Sequence, residues 1–477
     1  MGGIEGFNKE AFLEVHDSGE QITSIRINPA KTPHANNITS TDEKAYDPYI
    51  DITHDKGDPS IAVSRLPFAS PVPWTDYGFY LAHRPSFTFD PLFHAGCYYV
   101  QEASSMFLEQ AFKQLVDLSK PLRVLDLCAA PGGKSTHILS LVSTDSLVVS
   151  NEIMRSRNNV LVDNIIKWGA ANAIVSNNDP SAFRKLEGFF DIMVVDAPCS
   201  GSGLFRKDEE AIDEWSLNNV QLCSQRQQRI LADSLAALKE GGVLVYSTCS
   251  YSREEDEEIA DWLVSEFQME SLPLQIRPEW NIVETHSPKA NAKAYRFYPD
   301  KLKGEGFFLA CFRKTTVTRE AKHRPAKPVK VSKSEVDIIG RWVKAGEGEI
   351  VKDNDSFFLL PSAIASDYSI LNSILNIRHK GVKLGQVMKD RLVPDHSLAL
   401  STVISVDIPS NDLSYEEAIK YLQRQDVTVK TPAKGWQLVR YGGHNLGWVN
   451  VLPNRVNNYY PKELRILKQQ NDSAFEK

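Results

Sequence analysis

Two apolar runs in this sequence end in the same way. "DIMVVDAPCSGSG" (191–203) reads as a buried strand that closes on Asp196, turns through Pro198 and reaches Cys199 in a Gly/Ser-rich loop. "GGVLVYSTCSYS" (241–252) reads as a second strand that closes on Cys249. A thiol at a strand end is a nucleophile, a proton carrier or simple packing, and for an arbitrary cysteine packing is the better expectation. That bland reading is kept for Cys97, Cys223 and Cys311. Cys199 and Cys249 stand in matching positions, one beside an acid, and point instead to covalent catalysis.

Acids recur at the other strand ends. Asp126 closes "RVLDL", Glu152 closes "VVSNE", Asp179 follows the third run in "SNND", and Asp196 closes the fourth. Each alone reads equally as a helix cap. Together they line one edge of a sheet, where an acid after the second strand suits ribose hydroxyls. "RVLDLCAAPGGKST" is a strand, a Gly-rich turn and a helix, the arrangement that presents backbone N–H groups to a ligand. Its "GKST" ending matches the end of a phosphate-binding loop, but the first glycine of that loop would fall at Cys128. Carboxylates repel phosphate and favour a cationic sulfonium, so the pattern points to S-adenosylmethionine over a nucleoside triphosphate.

The elements that position these residues run from about 93 to 315. Strands "LRVLDL", "SLVVSNE", "ANAIVS", "DIMVVD", "GVLVYST" and "GFFLACF" alternate with helices such as "EIMRSRNNVLVDNIIKWG" and "NVQLCSQRQQRILADSLAALKEGG". The alternation predicts a mostly parallel sheet covered on both faces, with ligands at the carboxyl ends of its strands. Neighbouring fourth and fifth strands would then bring Cys199 and Cys249 into one crevice. A helix opening at "SREEDEEIADWL", with a Ser252/Glu255 capping box, would favour a thiolate at Cys249, while Glu254, Glu255 and Asp256 would oppose it.

Around this core the chain divides into a mixed α/β domain (1–92) with a polar segment between Pro29 and Pro59, a basic linker (316–333), a small α/β unit (334–395) and a β-rich tail (396–477). The stretch 313–333 carries Arg313, Lys314, Arg319, Lys322, Arg324, Lys327, Lys330 and Lys333 against Glu320 alone, and is read with equal weight as a solvated linker or a nucleic-acid contact. Arg378, His379, Lys380 and Lys383 form a second basic patch.

Composition bounds the rest. A chain of 477 residues, 42% hydrophobic and 24% charged, is a multidomain globular protein, and its net charge of −7 does not announce a nucleic-acid binder. The six cysteines include no C-x-x-C pair and no zinc spacing, so neither a disulfide scaffold nor a metal site is expected. No signal peptide opens the chain and no run reaches the length of a membrane span, which makes a reducing, cytoplasmic compartment the expectation.

"DLCAAPGGK", "NE" (151–152), "DAPCSGSG", "YSTCS" and "GEGFF", with "SIRIN" and "YYVQEASS" upstream, resemble the successive motifs of the RNA 5-methylcytosine methyltransferase family. The resemblance implies an α/β fold: a Rossmann-like S-adenosylmethionine-dependent core, an N-terminal mixed α/β RNA-binding domain, and C-terminal small α/β and PUA-like β-rich RNA-binding domains. It implies cofactor contacts from the backbone of Cys128, Ala129, Ala130, Pro131, Gly132, Gly133 and Lys134. By the same resemblance Glu152 takes the ribose hydroxyls, Asp179 the adenine edge, and Asp196 the methyl end and N3 of the target cytosine. A Pro-Cys pair, the nucleophile of DNA cytosine methyltransferases, would nominate Cys199; the RNA family assigns the nucleophile to Cys249 and product release to Cys199. The implied partner is small-subunit ribosomal RNA near the decoding site, naked or in an assembled 30S subunit, with the enzyme a monomer. Transfer RNA or another ribosomal cytosine is the alternative substrate. Outside the class stand an NTPase and a non-catalytic RNA-binding scaffold.

Overall fold

A computed structural model describes residues 6–32, 66–208, 210–318, 329–429 and 433–468. The polar segment between Pro29 and Pro59 and most of the basic linker therefore lie outside the described residues.

The central sheet is built from β1 (Arg123–Asp126), β2 (Leu147–Asn151), β3 (Ala173–Ser176), β4 (Phe190–Asp196), β5 (Leu238–Thr248), β6 (Met269–Ser271), β7 (Val283–His286), β8 (Lys293–Phe297), β9 (Phe307–Lys314) and β10 (Ile377–Lys380). Their spatial order is β7-β8-β9-β5-β4-β1-β2-β3-β10, with β6 on β9. The pairs among β1 to β5 are parallel, and β9 is antiparallel to β5. The order reverses between β1 and β4, so the crevice predicted for ligand opens above those two strand ends. Strands β2 and β3 are buried at every position, as a sheet covered on both faces requires.

All six strands expected from the sequence form. Helices α1 (Gly133–Leu141), α2 (Arg155–Trp168), α3 (Leu217–Ser234) and α4 (Glu257–Phe267) cover the sheet. The expected helix through "SLAALKEGG" stops at Ser234; Leu238 pairs with Phe190 and opens β5 instead, burial of that leucine beside β4 outweighing the helix propensity of Ala, Leu, Lys and Glu.

The domain boundaries need correction at both ends of the core. The N-terminal sheet pairs Thr23–Ile27 with Gly78–Leu81 on one side and with Tyr98–Val100 on the other, so it runs past the expected boundary at 92. Arg26, fully buried, fastens this sheet to the core. Its guanidinium donates to Gln101 Oε1 (2.8 Å), Thr136 Oγ1 (2.7 Å), Ser140 Oγ (3.1 Å) and the Gly133 carbonyl (3.3 Å), and stacks on Trp168. Asn28 donates to the carbonyls of Gly96 and Trp168. Gly96 is left-handed (φ 72°), and a Cβ there would stand 1.9 Å from the Lys167 carbonyl oxygen, so only glycine permits this approach to α2. "SIRIN" is thus a buried fastening.

The small α/β unit is not a separate body either. β10 extends the central sheet antiparallel to β3; Arg123 makes a two-pronged ion pair with Asp367 at 2.8 Å; and Leu360, Ile364, Tyr368 and Leu371 join the apolar cluster that contains Leu125, Met193 and Tyr246. The tail adds a sheet ordered Ser410–Asp412, Gly435–Tyr441, His444–Leu452, Arg455–Asn458, with the helix Tyr415–Leu422 opened by a Ser414/Glu417 capping box. Ala418, Tyr421, Leu422, Val439 and Leu446 of the tail share one apolar cluster with Ile25, Ile27, Phe79, Leu92 and Tyr98 of the N-terminal domain. Among the described residues no helix is long and apolar enough to cross a membrane.

A cavity of about 800 Å³ lies between α2 and the C-terminal modules, and His94, His379 and His396 all face it. Burial lowers each of their pKa values to about 4, against an ordinary 6.5. The native state therefore binds fewer protons than the unfolded chain between those values, and stability falls as pH drops through that window, by up to roughly 3 kcal/mol per histidine. Thermal unfolding followed from pH 7.5 to 4 is expected to show a midpoint that falls steeply below pH 6.5. Replacing His379 and His396 by Gln is expected to flatten that dependence.

Candidate functional site

The crevice is assembled from the ends of β1, β2, β3, β4 and β5. After β1 the chain returns across the sheet edge, Leu127 N–H donating to Val194 O and Ala129 N–H to Asn151 O. Gly132, with φ 114°, turns it into α1. Asn151 locks three strand ends together: its amide donates to the carbonyls of Leu127 and Asn178, and its Oδ1 accepts from Ser176 Oγ and Asn178 N–H. Nothing in the sequence assigns Asn151 this bridging role, because its partners lie in two distant segments, after β1 and at the end of β3.

The four acids do not form a uniform rim. Asp126 lies beneath the loop with no exposure, accepting from Ser135 Oγ at 2.6 Å while its Oδ1 has no protein partner. Burial pushes its pKa up to about 7. Glu152 accepts from Met154 N–H at 2.8 Å, with Arg157 3.6 Å away, and is flanked by half-exposed Ile153 and Met154. Asp179 caps the 3-10 helix Pro180–Leu186 through Ser181 N–H and Oγ, which lower its pKa. Asp196 holds Lys134 Nζ at 2.8 Å and accepts from Ser247 Oγ at 2.9 Å. Lys134 also sits over the Phe307 ring.

The arrangement discriminates between ligands. Lys134 is neutralised by Asp196 and turned toward the cysteine loops, so the phosphate-loop reading loses its cation. A carboxylate at the end of β2 beside exposed Ile153 and Met154 suits a ribose carrying a purine, and the excess of carboxylates suits a sulfonium. The residues present fit S-adenosylmethionine.

Cys199 and Cys249 meet above β4 and β5, their Sγ atoms 3.1 Å apart, both half-buried. Gly203 N–H donates to the Cys249 carbonyl at 2.7 Å and binds one loop to the other. The Cys199 thiol is pushed well above its ordinary range, first by the contact with the Cys249 sulfur, then by burial and by the charge of Glu255. Cys97, Cys223 and Cys311 are buried, as packing residues are.

Two expectations are overturned here. Ser252 makes no capping bond, and α4 begins only at Glu257 after a 3-10 turn (Arg253–Glu255), so no helix N-terminus faces Cys249. Glu255 instead turns inward to the cysteine loops, accepting from Ser200 N–H (2.7 Å), Ser200 Oγ (2.5 Å) and Ser250 Oγ (2.6 Å). The basic patch at 378–383 is largely spent on internal pairs: His379 is buried in the sheet, Lys380 is buried against Asp353, and Lys383 pairs with Asp395 at 2.9 Å. Arg313 and Lys314 likewise belong to β9, with Lys314 Nζ donating to the carbonyls of Leu235 and Leu238.

Cations gather elsewhere. A groove of about 950 Å³ between the small α/β unit and the tail is lined by Arg341, Lys389, Arg391 and Lys434, with Trp342 and Trp436 and a single acid, Asp390. Trp436 contacts the half-exposed Tyr459 ring at 4.4 Å.

Comparison with known proteins matches residues 114–313 to the family described as 16S rRNA methyltransferase RsmB/F. Residues 409–466 match the methyltransferase RsmF PUA domain, and 54–103 the N-terminal domain of 16S rRNA methyltransferase RsmF. The ribosomal RNA small subunit methyltransferase F of Vibrio parahaemolyticus is 32% identical over 424 residues, covering 83% of this chain and 85% of that protein. Its counterpart in Shewanella loihica is 28% identical over 464 residues, covering 92% and 88%. A crystal structure of a methyltransferase homolog protein from Pyrococcus horikoshii superposes with a TM-score of 0.52 at 28% identity, covering 65% of this chain and 92% of that one. With a Rossmann-like core, a crevice that fits S-adenosylmethionine and these matches at both ends, the chain belongs to the ribosomal RNA small subunit methyltransferase F family of S-adenosylmethionine-dependent methyltransferases.

Proposed function

We propose that this protein is a cytoplasmic enzyme that methylates C5 of a cytosine in small-subunit ribosomal RNA, near the decoding site, through a covalent adduct on Cys249. The observation that carries the reading is the pair of sulfurs 3.1 Å apart beside Asp196, at the ligand edge of a methyltransferase sheet. The names of the relatives support the ribosomal substrate.

C5 of cytosine is a weak nucleophile. The Cys249 thiolate adds to C6, and the electron pair of the C5–C6 double bond becomes available at C5. Asp196 hydrogen-bonds the ring at N3 and stabilises the adduct, while Lys134 Nζ, 2.8 Å away, fixes its carboxyl group at the crevice. S-adenosylmethionine supplies an electrophilic methyl group when bound. Cys199 then removes the C5 proton; that electron pair restores the double bond, the C6–S bond breaks, and its pair returns to Cys249. The order of events is built into the electrostatics. The contact with the Cys249 sulfur is the foremost cause of the raised Cys199 pKa; bonding of Cys249 to carbon removes it, so Cys199 then gives its proton to water and its thiolate is the base that takes the C5 proton. The target base must leave its stack to reach the crevice. RNA is gripped by the groove of Arg341, Lys389, Arg391, Lys434 and Trp436, whose cations meet phosphate and whose indole offers a face to a base.

Cys199→Ala is expected to slow turnover by roughly 100- to 10,000-fold and, with cellular RNA and S-adenosylmethionine, to accumulate a protein–RNA adduct that survives denaturation. The adduct is expected to vanish in Cys199→Ala/Cys249→Ala, and sequencing its RNA identifies the cytosine; transfer RNA in the adduct would overturn the ribosomal assignment. If Cys249→Ala is the variant that traps RNA, the two roles are reversed. Replacing Arg341, Lys389, Arg391 and Lys434 by Gln is expected to lower the slope of log binding constant against log salt by about 3, at about 0.7 per contact on single-stranded RNA. Equilibrium binding of S-adenosylmethionine is expected to stay unchanged in that variant.

A further inference from the structure

Cys199 and Cys249 each lie between a strand end and a short 3-10 turn (Ser202–Leu204 and Arg253–Glu255), yet their sulfurs lie 3.1 Å apart. What holds them is a buried polar frame. Glu255 has no exposure, and one carboxylate oxygen accepts from Ser200 N–H at 2.7 Å while the other accepts from Ser200 Oγ at 2.5 Å and Ser250 Oγ at 2.6 Å. Ser200 follows Cys199 and Ser250 follows Cys249, so one side chain grips the residue next to each thiol. Gln227 of α3 closes the frame, its amide donating to the Pro198 carbonyl at 3.1 Å and to Glu255 at 3.4 Å. From below, Tyr246 of β5 donates to the Glu255 carbonyl at 2.6 Å. The next two acids are used differently: Asp256 and Glu257 pair with the buried Arg296 of β8 and anchor α4. A buried carboxyl group is costly unless it is hydrogen-bonded, and here its donors come from the two loops and α3.

We propose that Glu255 is the positioning residue of the cysteine pair, its buried carboxylate setting the separation of the two sulfurs through Ser200 and Ser250. This rests on the two-cysteine reading above and deepens it. The carboxylate also places a negative charge beside Cys199. The other ionisable groups around that thiol are Cys249 and Tyr246 of the β5 end, the Asp196/Lys134 pair, Cys223 of α3 and the Asp256/Arg296 pair. Of the carboxylates among them, Asp196 and Asp256 already have cationic partners, whereas Glu255 is held by neutral donors. Glu255 is accordingly one of the groups that raise the Cys199 pKa, after the Cys249 contact and burial.

The test uses the full-length chain as wild type, Glu255→Gln, Glu255→Ala, Ser200→Ala and Ser250→Ala. Diamide, which takes two electrons and two protons from a thiol pair, drives the Cys199–Cys249 disulfide, and its rate is read by peptide mass spectrometry. Iodoacetamide labelling of Cys199 across pH gives the second readout. Glu255→Gln keeps an acceptor for both loops, so the disulfide rate is expected within about twofold of wild type, while the midpoint of Cys199 labelling moves to lower pH. Glu255→Ala is expected to slow the disulfide at least about tenfold, with the two serine variants between, and equilibrium binding of S-adenosylmethionine unchanged throughout. Cross-linking at the wild-type rate in the Ser200→Ala and Ser250→Ala variants and in Glu255→Ala would overturn the proposal, as would a Gln variant whose labelling midpoint does not move. Should Glu255→Ala fail to fold, the two single-hydroxyl deletions carry the positional test. Because neither readout involves RNA, a chain that cross-links rapidly as wild type but traps no RNA as either Cys199→Ala or Cys249→Ala would refute the cytosine chemistry and leave the role of Glu255 standing.

Discussion

The register of β4 against β5 governs the whole crevice. Asp196 lies opposite Ser247 in a parallel ladder that continues one step further, with Ala197 N–H donating to the Ser247 carbonyl. From that pairing Cys199 emerges three residues past the acid and Cys249 two residues past the serine, and the sulfurs meet. A slip of one residue would turn alternate side chains to the opposite face and carry one cysteine away from the other. The register is secured by what lies under it: β4 is buried at Ile192, Met193, Val194 and Val195, and β5 at Val243, Leu244, Val245 and Tyr246, so a shift would expose apolar surface on both layers. The two-thiol site thus inherits its geometry from the hydrophobic pattern of two strands, with the polar frame around Glu255 trimming the loops that leave them.

Charge is handled by local pairing. Lys134, Arg123, Arg206, Lys380 and Lys383 each sit against a carboxylate, and Arg296 sits against two. Arg26, like Lys314, is instead a cation buried among neutral acceptors, and burial lowers its pKa to about 9. It persists because its N–H groups are matched by the Gln101, Thr136, Ser140 and Gly133 oxygens, which belong to two different domains. Cations paired in this way do not offer a free charge to a polyanion, whereas in the groove between the small α/β unit and the tail four cations converge with one acid among the described lining residues.

Most of the core was legible in the sequence because its strands are continuous apolar runs ending in chemistry-bearing residues, and buried parallel strands announce themselves in that way. Cys199, Cys249 and Asp196 were found for that reason, and the structure brings them together. The misreadings share a physical cause: a local pattern was overruled by a partner distant in sequence. "SREE" has the spacing of a capping box, but Glu255 finds Ser200, fifty-five residues upstream. "IRHK" carries no apolar period and reads as a basic patch, yet the free edge of β3 recruits it as a strand, and Asp353 neutralises its lysine. The groove cations at 341, 389, 391 and 434 are scattered along the chain and share a surface only after folding. The role proposed for Glu255 belongs to this class, since the only local signal at Glu255, its spacing from Ser252, pointed to a helix cap.

The shared apolar cluster of the N-terminal domain and the tail has a consequence for how the chain is made. Ile25, Phe79, Leu92 and Tyr98 are synthesised early, and the residues that cover them, from Ala418 to Leu446, arrive last. At ordinary elongation rates this apolar face waits roughly 20 to 70 seconds for its cover. During that interval the first domain is a hydrophobic surface on a nascent chain, and a message cut short before the tail would leave it so permanently. The final sheet is thus the closing piece of the first domain's core, and a cell that makes this protein must shield the opening until the tail emerges.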